Sequence, residues 1–326
     1  MGRALVYLTF PVPDDVLARI EAECATVPFG ERGKPAKPDL LAAVSDIDGV
    51  LGTTRVPFDE EVFAAAPRLR VVSNFGVGYD NIDVAAATRH GVLVCNTPGV
   101  LSDAVADLTL GLIVALARRL IDSERSVREG QWGRGAAQLG SDLKGKTLGI
   151  IGLGRIGREV ARRAQPFGMQ VCFHDQFREP GADFAYCLYR DLDDLLREAD
   201  FLSLHVNLSD ETRHSIGARE LALMKPTAYL INTSRGQVID QPALAEALRN
   251  GTIAGAALDV LEREPPAEDD PILGAPNVIV LPHIGSATRE TRRAMLDLAV
   301  DNLLAALRSE RPPCVVNPEA LAPATS

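Results

Sequence analysis

The sequence predicts an α/β protein of two domains, each organised around its own mainly parallel sheet. Three observations carry this. Short apolar runs alternate with helix-like segments from one end of the chain to the other. At 326 residues the chain is too long for one small core. A strand–turn–helix pattern with glycines at 152, 154 and 157 starts only after 146 residues, which leaves enough chain ahead of it for another sheet.

The first series of elements begins with ALVYLT (4–9) as a strand, followed by a helix over 14–23 that Pro13, Asp14 and Asp15 start. GVLGT (49–53), LRVVSNF (69–75) and GVLVCN (91–96) are three further strands with helical segments between them. AVADLTLGLIVALARRLI (104–121) is the longest apolar stretch, but Asp107 inside it and Arg118 and Arg119 at its end make it a buried helix and not a membrane span. GQWGRG and GSDLKGK are turn-rich and form a surface connection. The second series is TLGII, MQVCFHD, DFLSLHV, AYLINTS, IAGAALDV and VIVLPHI, long enough from about 100 to 290 for a complete dinucleotide-binding domain. A helical run, RETRRAMLDLAVDNLLAALRSE, follows with no strand set of its own and ends at Pro312 and Pro313.

Composition excludes several classes. A formal net charge of −10 argues against nucleic acid as a partner, because phosphate binding needs a basic surface. The five cysteines are scattered and form no CxxC, which fits reduced thiols in a cytoplasmic protein, with no disulfide framework and no metal site. The N-terminal apolar run is short and broken by prolines, so it reads as a first strand and not as a secretory segment.

The glycine pattern meets the conditions for a dinucleotide turn. A strand precedes it, and a helix with Ile156, Val160 and Ala164 at helical spacing follows. A second strand ends in Asp175, eighteen positions after Gly157. Gly152 permits the tight turn, Gly154 lets backbone approach a pyrophosphate, and Gly157 lets helix and strand pack closely. The helix N-terminus offers N–H groups and partial positive charge to phosphates. Asp175 would accept the adenosine ribose hydroxyls and repel a 2′-phosphate, so NAD is expected with NADH preferred over NADPH; Arg178, just beyond, weighs the other way.

Five segments, FGVGYDNID (75–83), GLGRIG (152–157), INTSRGQVID (231–240), GAALDVLEREPP (255–266) and VLPHIGSAT (280–288), closely resemble, in the same order, the D-isomer-specific 2-hydroxyacid dehydrogenases. That family includes glyoxylate/hydroxypyruvate reductases, phosphoglycerate dehydrogenases, formate dehydrogenase and D-lactate dehydrogenase. The resemblance implies two Rossmann/flavodoxin-like domains, with a discontinuous substrate domain of residues 1–98 plus 291–326 around an NAD-binding domain of 99–290. It also implies a hinge near 98 and 290, an active site in the cleft, and a homodimer through the 103–121 helix region.

Reducing a 2-oxo acid requires a hydride, a proton for the developing alkoxide and a cation for the substrate oxygens. Arg235 can supply the cation through its fixed fork of donors. His283 can donate the proton, and Glu264 can orient its ring and raise its pKa. Judged alone, Arg235 reads as a salt-bridging loop residue, Glu262 and Glu264 as solvated carboxylates, and His283 as a satisfied strand-end histidine. All three, however, follow predicted strands of one parallel sheet, where ligands bind, and the resemblance gives the same three the catalytic roles. By resemblance, Asp259 holds the nicotinamide carboxamide, Thr233 and Gly285 line the cofactor, and Thr109 approaches the nicotinamide. Arg155 and Ile156 lie over the pyrophosphate. His205, Val206, Asn207 and Thr212 belong to the loop on the adenosine side, where Asn207 replaces the family's usual proline. The rings of His90, His174, His205 and His214 read as structural. Val77 and Gly78 match the loop whose N–H groups hold the substrate carboxylate, and Thr53 is expected as a further substrate contact.

The substrate follows from comparison within the family. Phosphoglycerate dehydrogenases typically carry an arginine after the third strand, where this chain has Gly52, Thr53 and Thr54, with Arg55 displaced. This favours a small unphosphorylated 2-oxo acid and a glyoxylate/hydroxypyruvate reductase. The connection around 131–146 is as short as in phosphoglycerate dehydrogenases, so one lacking the regulatory domain is the alternative. Formate dehydrogenase usually has Gln where Glu264 stands. An NAD-sensing co-repressor is the alternative of another class, disfavoured by the intact Arg235, Glu264 and His283 set and the lack of an extended tail.

Overall fold

The computed structural model describes residues 2–29, 35, 37–134, 139–176 and 186–321. Arg178 lies outside them. The chain divides into two compact units, one of 1–101 with 288–326 and one of 102–287.

The smaller unit holds a five-stranded, wholly parallel sheet in the order β2-β1-β3-β4-β5. Its strands are β1 (Leu5–Leu8), β2 (Ala25–Val27), β3 (Gly49–Thr53), β4 (Val71–Phe75) and β5 (Leu93–Cys95). Between them run α1 (Asp14–Glu21), α2 (Lys37–Val44), α3 (Glu60–Ala64) and α4 (Val84–Arg89). Asp59 and Asp83 cap the last two, accepting from Val62 N–H and Ala86 N–H. One sheet face packs Val50, Val72 and Val94 against Leu40, Phe58 and Phe63. The other packs Val6, Leu51 and Val71 against α1 and the C-terminal helix, residues Arg289–Leu307. That helix starts at the Thr288 cap, and its Leu303 and Leu307 fill the space a side chain on Gly49 would take. Beyond it, Asn317 accepts from Val94 N–H at 2.7 Å and donates to Val92 O at 2.9 Å, stitching the chain end to the sheet edge.

The larger unit opens with α5 (Ser102–Ala117) and α6 (Leu120–Arg128). Then come β6 (Thr147–Ile151), α7 (Arg155–Ala164), β7 (Gln170–His174), β8 (Cys187–Tyr189), α8 (Leu192–Glu198) and β9 (Phe201–Leu204). It finishes with α9 (Ala218–Leu223), β10 (Tyr229–Asn232), α10 (Gln241–Arg249), β11 (Gly255–Leu258) and β12 (Val278–Val280), which makes the C-terminal helix α11. Its seven parallel strands run β12-β11-β10-β9-β6-β7-β8. The order reverses at the β6–β9 junction, the place where an open α/β sheet leaves a ligand crevice. α5 and α7 cover one face, and α8, α9 and α10 the other.

Three local features differ from the sequence reading. β2 and β8 have three residues each, too few to show a periodicity. The single helix expected over 104–121 is two helices, broken where Arg119 takes a left-handed backbone (φ 52°). The cause is tertiary: Ser141 N–H donates to Ala117 O at 2.8 Å, occupying the carbonyl that a continuing helix would have used. α5 buries its apolar face inside its own unit, whereas Leu120, Ile121 and Val127 on α6 are about half exposed. Among the described residues no helix is long and apolar enough to cross a membrane.

Leu303 is wholly buried beneath β3. Leu303→Ala is expected to lower unfolding free energy by about 3 kcal/mol in urea denaturation.

Candidate active site

The glycine turn follows β6 at the order reversal. Gly152 has φ 91°, and a Cβ there would lie 2.6 Å from His205 O and 2.9 Å from Val206 Cγ1. A Cβ on Gly157 would lie 2.2 Å from Gly152 O. A Cβ on Gly154 meets nothing within 4 Å. The turn is thus closed on its protein side by His205, Val206 and its own helix, and open at Gly154, where the α7 N-terminus has no side-chain cap. That cradle fits an anionic pyrophosphate. Asp175 leaves β7 beside it and accepts Leu153 N–H at 2.9 Å through Oδ2. Arg155 and Ile156 form the first turn of α7, with Arg155 exposed.

His205 donates its backbone N–H to Ile151 O, and its Nε2 lies 2.8 Å from Ser203 Oγ. Desolvation pushes its imidazole down to about 3, so the ring is neutral. Farther along this loop, Thr212 Oγ1 donates to Asn207 O at 2.7 Å, turning the threonine back onto its own loop.

β10, β11 and β12 deliver Arg235, Glu264 and His283. After β10, Asn232 wraps the next turn: Nδ2 donates to Arg235 O at 2.8 Å, and Oδ1 accepts Ser234 N–H at 2.9 Å. Arg235 Nη1 donates to Ser234 O at 2.9 Å. Gly236 sits against the following loop so closely that a Cβ would lie 1.9 Å from the Leu261 carbonyl carbon. That contact lets the Arg235 loop and the Glu264 loop cross backbone to backbone. Gln237 Nε2 locks the crossing by donating to Glu262 O at 2.8 Å.

His283 Nδ1 lies 2.7 Å from Glu264 Oε2, both side chains about one-third exposed. Glu264 Oε1 also accepts Leu261 N–H at 3.3 Å. Burial pushes the Glu264 carboxyl up. The His283 hydrogen bond and charge, Leu261 N–H and the nearby Arg235 charge outweigh it, leaving the carboxyl below its usual value. His283 itself has a left-handed backbone (φ 57°), a conformation that costs a non-glycine residue on the order of 1–2 kcal/mol. Asp259, buried at the end of β11, holds it there. Its carbonyl accepts His283 N–H at 2.9 Å, and its two carboxylate oxygens accept Ile284 N–H and Gly285 N–H at 2.7 Å each.

Arg235, Glu264 and His283 therefore form one cluster on the C-terminal edge of the larger sheet, with Asp259 and Gly285 behind it. Thr109 of α5 and Thr233 of β10's exit meet with hydroxyls 3.1 Å apart. His90 pairs with Glu60, His174 lies 3.1 Å from Arg190 O, and His214 pairs with Glu262. In the smaller unit, Thr53 ends β3, and Val77 and Gly78 follow β4. There Thr54 packs on Gly76 so closely that a Cβ on that glycine would lie 2.5 Å from Thr54 Cγ2. Sequence reading missed Asn232 and Gly236; the adjacency of both to Arg235 in INTSRG was the only available signal.

A family model described as D-isomer specific 2-hydroxyacid dehydrogenase, NAD binding domain, matches residues 110–285. A glyoxylate reductase from Korarchaeum cryptofilum is 47% identical over 320 residues, 96% of each chain. Among solved structures, a glyoxylate reductase from Paecilomyes thermophila superposes with a TM-score of 0.89 at 34% identity, covering 97% of this chain and 99% of that one. An NADPH-dependent glyoxylate/hydroxypyruvate reductase from Sinorhizobium meliloti, in complex with NADP and malonate, gives 0.88 at 36% identity over the whole of both chains. With this family model over more than half of the chain and relatives of 34% to 47% identity along nearly all of it, the chain belongs to the D-isomer-specific 2-hydroxyacid dehydrogenases, oxidoreductases with an NAD-binding domain.

Proposed function

We propose that this protein reduces a small unphosphorylated 2-oxo acid, glyoxylate or hydroxypyruvate, to its D-2-hydroxy acid with NADH. The observation that carries the reading is the 2.7 Å bond from His283 Nδ1 to an ionised Glu264, with the charge of Arg235 nearby. With Nδ1 engaged, His283 keeps Nε2 for the proton that the forming alkoxide takes. Glu264 orients the ring for that transfer, as the third member of a catalytic triad does. The Arg235 guanidinium stays charged at any working pH and offers two parallel donors to the substrate carboxylate and carbonyl oxygen. A bound nicotinamide cofactor supplies the hydride for the carbonyl carbon.

The other roles follow the same proposal. Thr109, Thr233, Asp259 and Gly285 serve the nicotinamide side, Arg155 and Ile156 the pyrophosphate, and the 205–212 loop the adenosine. Val77 and Gly78 take the substrate carboxylate. Thr53 and Thr54, where a phosphate-binding relative would place arginine, favour an acid without phosphate, and the names of the relatives agree. A preference for NADH is supported by the negative charge that Asp175 fixes beside the turn. The Sinorhizobium relative uses NADPH, so the cofactor ratio is the measurement that matters. Leu120, Ile121 and Val127 on α6 offer the exposed apolar face for the proposed homodimer.

His283→Ala is expected to lower kcat by roughly 100- to 10,000-fold with NADH binding intact by fluorescence titration; retained turnover would remove the proton-donor role. Asp175→Ala is expected to lower the NADH/NADPH ratio of kcat/KM by about tenfold or more, the scale of a hydrogen bond to a charged group. An unchanged ratio would count against ribose binding. Light scattering at micromolar concentration should return twice the mass of the chain, and a monomer mass rejects the dimer.

A further inference from the structure

In the smaller unit, the loop after β4 is held by its carbonyls. Thr97 N–H donates to Gly76 O at 2.9 Å, Asn96 Nδ2 to Val77 O at 2.8 Å, and Asn74 Nδ2 to Gly78 O at 2.8 Å. A trans peptide points its N–H opposite to its C=O. Three consecutive carbonyls drawn inward therefore turn the N–H groups of Val77, Gly78 and Tyr79 outward. Among the described residues none of these three N–H groups has a hydrogen-bond partner.

The donors that draw the carbonyls in are themselves fixed. Asn96 is held by its own carbonyl, which accepts Asn302 Nδ2 at 3.0 Å. Asn302 is wholly buried on α11, and its Oδ1 accepts Cys314 N–H at 2.8 Å. A buried amide is costly unless satisfied, and this one is satisfied at both ends. Asn74 is also wholly buried, yet its Oδ1 has no partner among the described residues. Its donors are its contribution: one holds Gly78 O, and the amide also reaches Asn81 Oδ1 at 3.4 Å. Asn81 in turn ties the loop to β3 by donating to Thr53 O and Val56 O.

We propose that Asn74 and Asn96, the latter held by Asn302 of the C-terminal helix, are positioning residues that aim the Val77 and Gly78 amides at the substrate carboxylate. The proposal rests on the functional reading above, which gives that loop the carboxylate. Amides fixed before binding need no ordering when the anion arrives, so the clamp acts on substrate affinity and not on the chemical step.

The test uses Asn96→Ala, which frees Val77 O, Asn74→Ala, which frees Gly78 O, and Asn302→Leu, which keeps the volume but releases Asn96. In the full-length protein, KM for glyoxylate and Ki for oxalate should each rise about tenfold, the scale of one lost hydrogen bond. The NADH dissociation constant and kcat should stay at wild-type values. Three variants keep the test open should one fail to fold, as thermal unfolding will show. Unchanged KM and Ki in folded variants overturn the proposal, as does a parallel fall in kcat and NADH affinity. A wild-type protein that turns over no 2-oxo acid overturns the functional reading and this proposal together, and an active wild type with insensitive variants overturns the clamp alone.

Discussion

All seven strands of the larger sheet run one way, and a parallel strand reaches its neighbour only by a crossover along the sheet face. Every strand therefore delivers its exit loop to the same edge, and the candidate site is made of those exits: the glycine turn from β6, Asp175 from β7, Arg235 from β10, Asp259 from β11, His283 from β12. Loops crowded on one edge must cross each other at backbone distance. Gly157 and Gly236 stand where a side chain would collide with a neighbouring carbonyl group. Their small size is what permits the helix N-terminus to meet its turn and the Arg235 loop to meet the Glu264 loop.

Crowding alone does not orient an imidazole. His283 is held in a left-handed backbone by a buried aspartate whose carbonyl and both carboxylate oxygens accept N–H groups from the same turn. Glu264 then fixes the ring through Nδ1. Two carboxylates thus divide the work: Asp259 sets the backbone and Glu264 the side chain. The lowered Glu264 carboxyl means that this fixing contributes above the ordinary carboxylate range and is lost as pH falls through the lowered value.

The smaller unit uses amides where the larger one uses carboxylates. Asn74, Asn81, Asn96, Asn302 and Asn317 all bond to backbone groups there, several from fully buried positions. Neutral amides hold these carbonyls without adding negative charge around the loop after β4. The C-terminal helix supplies apolar cover to the sheet and, through Asn302, a hydrogen bond to the strand end beside that loop.

Much of this was legible in the residues. The alternation of apolar runs marks the parallel strands, and the glycine spacing with Asp175 marks the turn, because those signals arise from local geometry. Arg235, Glu264 and His283 stood out because each follows a strand of the same sheet. Other features depend on chain segments distant in sequence. The break at Arg119 exists because Ser141 returns to occupy the Ala117 carbonyl, and nothing within 104–121 encodes that return. Asn302 reads as one more polar residue of a mixed helix until the fold sets Asn96 and Cys314 against it. Asp259 reads as a cofactor contact by resemblance, and only the folded chain reveals the His283 turn hanging from it. Sequence alone determined the longer elements and the residue types that chemistry needs, since periodicity and backbone freedom are local. Tertiary structure decided which donor meets which acceptor, because each such bond joins residues whose proximity only the packed sheet creates.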